Sequence, residues 1–274
     1  MMDRIWRVGI RLLAVITAVV FLTPVVWMLA LSVKPEGGSL LQLAGGLRLG
    51  WTFENYRKVL GEAPIFGWMG NSLIVAVCTT ALILLLSSMA AYAFSRLPFR
   101  GSRVLFVLFL SGMMIPSEAT LIPLYLIMKQ YGLLGSLTSL ILPAVAAPLG
   151  IFVMKQFFDG LPKELEEAAR IDGAGPLRIW LSLFLPLSRP AMGALGIFTF
   201  IGSWNDFVWP LISISDKAYM TITLGLPAFQ SSYVQQYALP MTANALATLP
   251  VLLVFIFFQK QIIQGIAFTG GKEG

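Results

Sequence analysis

Four carboxylates crowd into one polar stretch, Lys163 to Pro186 (KELEEAARIDGAGPLRIWLSLFLP), of a chain whose 274 residues are only 12% charged. An enzyme built on Glu164, Glu166, Glu167 and Asp172 would need a nucleophile–base pair or metal ligands beside them. The sequence has no histidine and a single cysteine, Cys78, inside an apolar run. A His-containing triad, a His or Cys metal site, a histidine proton relay and an internal disulfide are thereby excluded. Cys78 reads as a small buried hydrophobe. The only Gly-Gly-Lys, Gly270-Gly271-Lys272, is followed by Glu273, where a phosphate-binding loop needs Ser or Thr and a following helix. The chain is expected to be no enzyme, with no catalytic residue, no metal and no cofactor of its own.

Two more carboxylates, Glu118 and Asp206, lie within or near apolar runs. A carboxylate at mid-membrane costs about 2.5–3.5 kcal/mol on insertion scales, so it faces the bundle or water. Both fall in the outer half of their runs. They either line a solute route or outer gate, or sit at the wet membrane edge in a structural role. Pro116 and Ser117 suggest a helix break beside Glu118. Trp204, Asn205, Asp206 and Trp209 form the set best suited to a sugar, which offers C–H faces to rings and hydroxyls to amides and carboxylates. Tryptophan near the end of a span equally suits the interfacial belt. Spacing of i,i+4 places Asn205 and Trp209 on one helical face and leaves Trp204 off it.

The elements that position these groups are membrane spans. Apolar residues make up 57% of the chain, mean hydropathy is +0.82, and charge is about half that of an average soluble domain. A bilayer core of about 30 Å takes roughly 20 apolar residues as helix. Six runs qualify: Leu12 to Val33, Ser72 to Ser95, Val104 to about Tyr125, Leu137 to Phe157, Pro190 to about Ile212, and about Leu239 to Phe258. The first, after Arg4, Arg7 and Arg11, is too long for a cleaved signal and reads as an uncleaved span. The expected fold is an all-α integral membrane protein, one transmembrane domain over residues 1–274, with a helix-turn-helix loop at about 158–188. Six spans put both termini on one side. That side carries 13 of the 19 Lys and Arg residues, which makes it cytoplasmic. The net charge of +6 is thereby explained by loop bias rather than by nucleic acid. Outer loops fall at about 34–70, 126–136 and 213–238. Phe53–Leu60 reads as a short amphipathic helix outside, and Tyr219, Tyr233 and Tyr237 mark the last outer loop as a surface for an external protein or as a plain connector.

The polar stretch lies on the inner side. Glu164, Glu166 and Glu167 occupy the first turns of a helix, where the dipole favours carboxylates. Ala168 and Ala169 keep one surface thin. Gly173 stands at a left-handed stop, and Pro176 suits the first turn of a second helix whose apolar face holds Leu177, Ile179, Trp180 and Leu183. Such a helix pair either rests on the membrane surface or fits a protein groove. Its acidity opposes the first, because the inner leaflet is itself negative.

Glu167-Ala168-Ala169, three residues, Gly173, nine residues, then Leu183-x-Leu185-Pro186 resembles the "EAA" loop of ABC importer permeases, with Leu183 in place of Ile. "MIPSEATLIPLYLIMKQYGLL" (Met114–Leu134), "SWNDFVWPLI" (Ser203–Ile212) and "TITLGLPAFQ" (Thr221–Gln230) resemble the carbohydrate-uptake, maltose-type branch. The C-terminal QGIAFTGGKEG is only partly like the family's Gly-Leu-Thr-Ala-Gly ending. The resemblance implies a coupling helix seated in a cytoplasmic ATPase, with Glu164, Glu167, Ala168, Ala169, Asp172, Gly173, Leu185 and Pro186 at that joint. It implies two ATPase subunits that hold the ATP and Mg, a second permease, an extracytoplasmic solute-binding protein, and a bacterial or archaeal cytoplasmic membrane. The solute expected is a sugar or oligosaccharide. A glycerol-phosphate or polyol importer, and an ion-coupled secondary transporter without an ATPase, are the alternatives.

Overall fold

The computed structural model describes residues 2–35, 50–230 and 237–270, with side chains described from 6 and up to 259. Every regular element among them is helical. In chain order they are α1 (Met2–Ser32), α2 (Glu54–Glu62), α3 (Ile65–Arg96), α4 (Ser102–Ser111, extended by a tighter turn to Met114), α5 (Ser117–Gln130), α6 (Leu137–Ala144), α7 (Pro148–Asp159), α8 (Glu164–Ile171), α9 (Pro176–Leu187), α10 (Arg189–Asn205), α11 (Val208–Ser213) and α12 (Ala238–Gly270). Short turns at Lys217–Tyr219 and Ile222–Gly225 lie before α12.

Among the described residues, three helices are each long and apolar enough to cross a membrane: Trp6–Ser32, Ile65–Arg96 and Ala238–Gln259. Three bent pairs bring the number to six if each pair is one span. The run expected from Val104 to Tyr125 is not straight. α4 with its tight turn meets α5 at 102°, because Pro116 sits in extended backbone (φ −63°, ψ 136°) and has no N–H to continue the helix. Leu137 to Phe157 bends by 45° between α6 and α7, where Pro148 opens the second helix. The fifth run, Pro190 to Ile212, is a helix only as far as Asn205; Asp206 is extended (φ −64°, ψ 129°) before α11 begins.

The chain divides into two compact units. One contains residues 1–66 and 225–249. Leu31 and Ser32 at the end of α1 are buried, but its most apolar 18-residue window is not buried within the chain at all, so lipid or another subunit must cover it. Its C-terminal end is closed by α2, the short helix expected at Phe53–Leu60. The buried Asn55 carboxamide donates to the carbonyls of Ser32 (2.9 Å) and Lys34 (2.6 Å), and Thr242 Oγ1 donates to Ser32 O at 3.0 Å. These bonds satisfy carbonyls that the end of a helix leaves without partners.

The other unit holds residues 67–224 and 250–274. Its axis is α3. Near one end Val75 packs with Met128, Leu140, Trp209 and Ile214; near the other Tyr92 packs with Met154, Phe158, Trp180 and Phe184. Val75 and Tyr92 stand about 25 Å apart at 1.5 Å per residue. Between them α7 lies against α3 at Gly150, where an added Cβ would collide with Ser87 Oγ and crowd Ile83. Small residues let membrane helices approach this closely. Cys78, on α3, is half-buried and unpaired.

Candidate functional site

The Lys163–Pro186 stretch folds as two short helices joined by a tight turn. Glu166 and Glu167 N–H donate to the Lys163 carbonyl at 3.0 and 3.1 Å, which opens α8 with three carboxylates in its first turn. Its last turn closes on Gly173 at φ +78°. Gly173 N–H donates to Arg170 O and Ala174 N–H to Ala169 O, both at 3.0 Å. That pair of bonds is the Schellman arrangement, which requires a left-handed residue at the position Gly173 fills. Gly175 then caps α9 in extended backbone, and Pro176 takes its first turn.

The helical period sorts the side chains of α8 between two faces. Glu164, Glu167, Ala168 and Ile171 are exposed and recur at i, i+3, i+4 and i+7; Ile171 is 87% exposed. Asp172 and Gly173 are exposed beyond them. Glu166 is buried, and Ala169 is half-buried against the Phe158–Phe184 core with Ala174. Of the two alanines in the motif, Ala168 therefore faces outward and Ala169 inward. Glu166 Oε1 accepts from Arg170 Nη2 at 2.6 Å, and Glu166 Oε2 lies 3.9 Å from Arg96 Nε. Sequence spacing shows the Arg170 partner one turn away; nothing local shows Arg96, at the far end of another span.

Leu185 and Pro186 form a corner rather than part of the outward stripe. α9 buries Ile179, Trp180 and Phe184, and Trp180–Phe184 is wound as a π-helix. Leu185 packs on the same core. The chain then turns by 76° into α10 at the buried Ser188, whose hydroxyl donates to Leu185 O at 3.0 Å. A π-turn followed by a proline is a known cause of such a kink.

Beside the middle of α3, against Val75, Thr79 and Ile83, lies a cavity of about 280 Å³. Thr79, Thr199, Ser203, Asp206 and Thr221 contribute its polar groups. The Thr79 hydroxyl is buried and has no hydrogen-bond partner. Asp206 is the single member of the expected pathway set that lines this cavity. Its backbone carbonyl accepts from Thr223 Oγ1 at 2.6 Å.

Trp204 is buried and stacks on Phe200 with ring centroids 6.0 Å apart. Trp209 is buried and donates Nε1–H to Ser139 O at 2.8 Å. Asn205 is exposed at the end of α10, and the break at Asp206 separates it from the Trp209 face that i,i+4 spacing predicts. Glu118 is exposed in the first turn of α5, takes a hydrogen bond from Ser117 Oγ at 3.1 Å, and is not among the residues that line the cavity. The loop after α11 is tied back to α3: Asn71 Nδ2 donates to Ala218 O and Met220 O at 2.8 and 2.9 Å, and Ile222 N–H to Ser72 Oγ at 2.8 Å. Tyr219 is exposed on it, Tyr233 lies outside the described residues, and so do Gly271–Gly274 of the tail.

The chain is similar in sequence and in fold to known proteins. Residues 83–268 match the family described as binding-protein-dependent transport system inner membrane component. The arabinooligosaccharides transport system permease protein AraQ of Bacillus subtilis (strain 168) is 34% identical, covering 98% of this chain and 97% of that protein. The diacetylchitobiose uptake system permease protein NgcG of Streptomyces coelicolor is 35% identical, covering 97% and 89%. The trehalose/maltose transport system permease protein MalG of Thermococcus litoralis is 31% identical, covering 95% of each. A chain in the crystal structure of a bacterial ABC transporter involved in the import of the acidic polysaccharide alginate superposes with a TM-score of 0.81 over 95% of this chain and 97% of that one. At 24% identity that last likeness is one of fold.

Proposed function

The chain belongs to the binding-protein-dependent inner membrane components, the permeases of ABC importers, and from that membership we propose that it forms half of the route by which one such importer takes up a sugar or oligosaccharide. It is a multi-pass membrane transporter subunit and not an enzyme. The observation that carries the solute class is the similarity, over nearly the whole chain, to permeases named for arabino-oligosaccharides, diacetylchitobiose and trehalose/maltose.

The energy comes from outside the chain. Two ATPase subunits bind the ATP and Mg; a second permease completes the route; an external binding protein delivers the solute. Both termini and the α8–α9 loop face the cytoplasm, in keeping with the positive-inside rule. The exposed stripe Glu164, Glu167, Ala168 and Ile171 docks in a groove of the ATPase. A thin amphipathic helix with a small-residue face suits a protein groove, and Ile171 offers apolar area that water penalises when left open. Asp172 and Gly173 end that surface, Ala169 seats it, and Leu185 and Pro186 carry its displacement around the corner into α10. Glu118, Trp204, Asn205, Asp206 and Trp209 divide between route and frame: Asp206 borders the route, and the two tryptophans hold its wall.

The test is a ligand panel on the cognate binding protein, followed by uptake of the bound solute into vesicles holding the assembled importer. Tight binding of a di- or oligosaccharide and vanadate-sensitive uptake of it are expected. Selective binding of a polyol or glycerol phosphate overturns the solute class, and vanadate-resistant uptake driven by an ion gradient overturns the importer reading.

A further inference from the structure

The last residue of α3, Arg96, is nearly sealed from solvent, its side chain 5% exposed, yet it touches every element around the loop. Its Nη2 donates to the carbonyls of Phe158 and Leu161, the latter at 2.7 Å. These acceptors lie at the C-terminal end of α7, where the helix dipole favours a cation. The guanidinium carbon stands 5.1 Å from the centre of the Phe184 ring on α9. Nε points toward Glu166 Oε2 on α8 at 3.9 Å and has no hydrogen-bond partner. One planar cation thus joins two spans and both helices of the loop.

We propose that Arg96 and Glu166 are the positioning pair that passes displacement of α8 to α3 and α7. The inference rests on the reading of α8 as the ATPase-docking helix. Separating Arg96 from Glu166 strips the buried guanidinium of its carboxylate partner, while Glu166 keeps Arg170 at 2.6 Å; a buried charge left without its partner is costly. When the ATPase moves α8, Glu166 therefore draws Arg96 with it, and Arg96 draws the ends of both spans. The free Nε and the 3.9 Å gap leave room for the pair to close into a direct hydrogen bond as α8 is pressed inward. The outward stripe makes the contact with the ATPase, whereas this pair decides whether the contact does work on the route. Lysine cannot replace arginine here, because a single ammonium cannot bond two carbonyls and face a carboxylate in one plane.

The experiment uses the full importer in vesicles, with a photo-crosslinker on Ile171→Cys in a Cys78→Ser background. Arg96→Lys and Glu166→Gln are compared with the parent for crosslinking to the ATPase, ATP turnover and solute uptake. Both variants are expected to keep the crosslink while ATP hydrolysed per solute rises by about fivefold or more, the low end of coupling between linked sites. The double variant is expected to be no worse than either single one. Parental stoichiometry in both variants overturns the pair while leaving the docking helix intact. Loss of the crosslink in the variants also overturns it, by making Arg96 a residue of the loop's fold alone. Absence of the crosslink in the parent overturns the docking reading first and this inference with it.

Discussion

Gly173 offers the cleanest perturbation of the loop. It sits at φ +78°, and a Cβ built on it meets nothing within 4 Å. A substitution therefore meets no clash, and its whole cost is backbone conformation. For an L-residue the left-handed region costs about 1–2 kcal/mol, while asparagine visits it more readily. If the turn relaxes instead, the two Schellman hydrogen bonds at 3.0 Å are lost and the entry into α9 is redirected. A cost of about 1–2 kcal/mol lowers the fraction of loops in docking geometry by a factor of about 5–30, and apparent affinity for the ATPase falls by that same fraction. The expected order is Gly, then Asn, then Ala, then Val, with Gly173→Ala weakened about 5–30-fold. Titrating purified ATPase against permease in lipid nanodiscs reads this directly, with uptake measured in parallel at equal membrane abundance. Equal affinity for Gly and Val would refute the reasoning, and so would Asn as poor as Val.

The remaining expectations divide between frame and function. Glu167→Lys, on the exposed stripe, should leave the protein in the membrane and abolish ATP-coupled uptake, whereas Ala169→Leu, on the inner face, should lower the melting temperature as well. Gly150→Val should destabilise by about 1–3 kcal/mol, the usual cost of overpacking, because Ser87 and Ile83 already fill the space a side chain needs; a thermal melt in detergent checks this. Trp209→Phe strips the donor from the buried Ser139 carbonyl and should cost about 1–3 kcal/mol in stability while leaving the solute concentration for half-maximal uptake unchanged. Asp206→Asn should reduce transport selectively, with unchanged uptake kinetics assigning this carboxylate to a structural role.

The legibility of this fold follows the range of the forces involved. Runs of about twenty apolar residues declare α1, α3 and α12 outright. Pro116 announces a break but not its 102° angle, which depends on what the two halves pack against. Gly173 was legible because a left-handed stop is a local demand that one residue type meets without strain. The break at Asp206 is marked only indirectly, by Pro210, which has no N–H to reach the Asp206 carbonyl in a continuous helix; that carbonyl accepts from Thr223 Oγ1 instead. The i,i+4 face shared by Asn205 and Trp209 disappears with that break. The inward turn of Glu166 was equally hidden, since its buried partner Arg96 ends a different span.

The measurement closest to the central claim is a crosslinking scan along α8 in the assembled importer. Probes at 164, 167, 168 and 171 are expected to trap the ATPase, and probes at 166 and 169 to trap only the permease itself. Capture at every position alike, capture at none, or labelling of the stripe by a reagent confined to the outside would contradict the account.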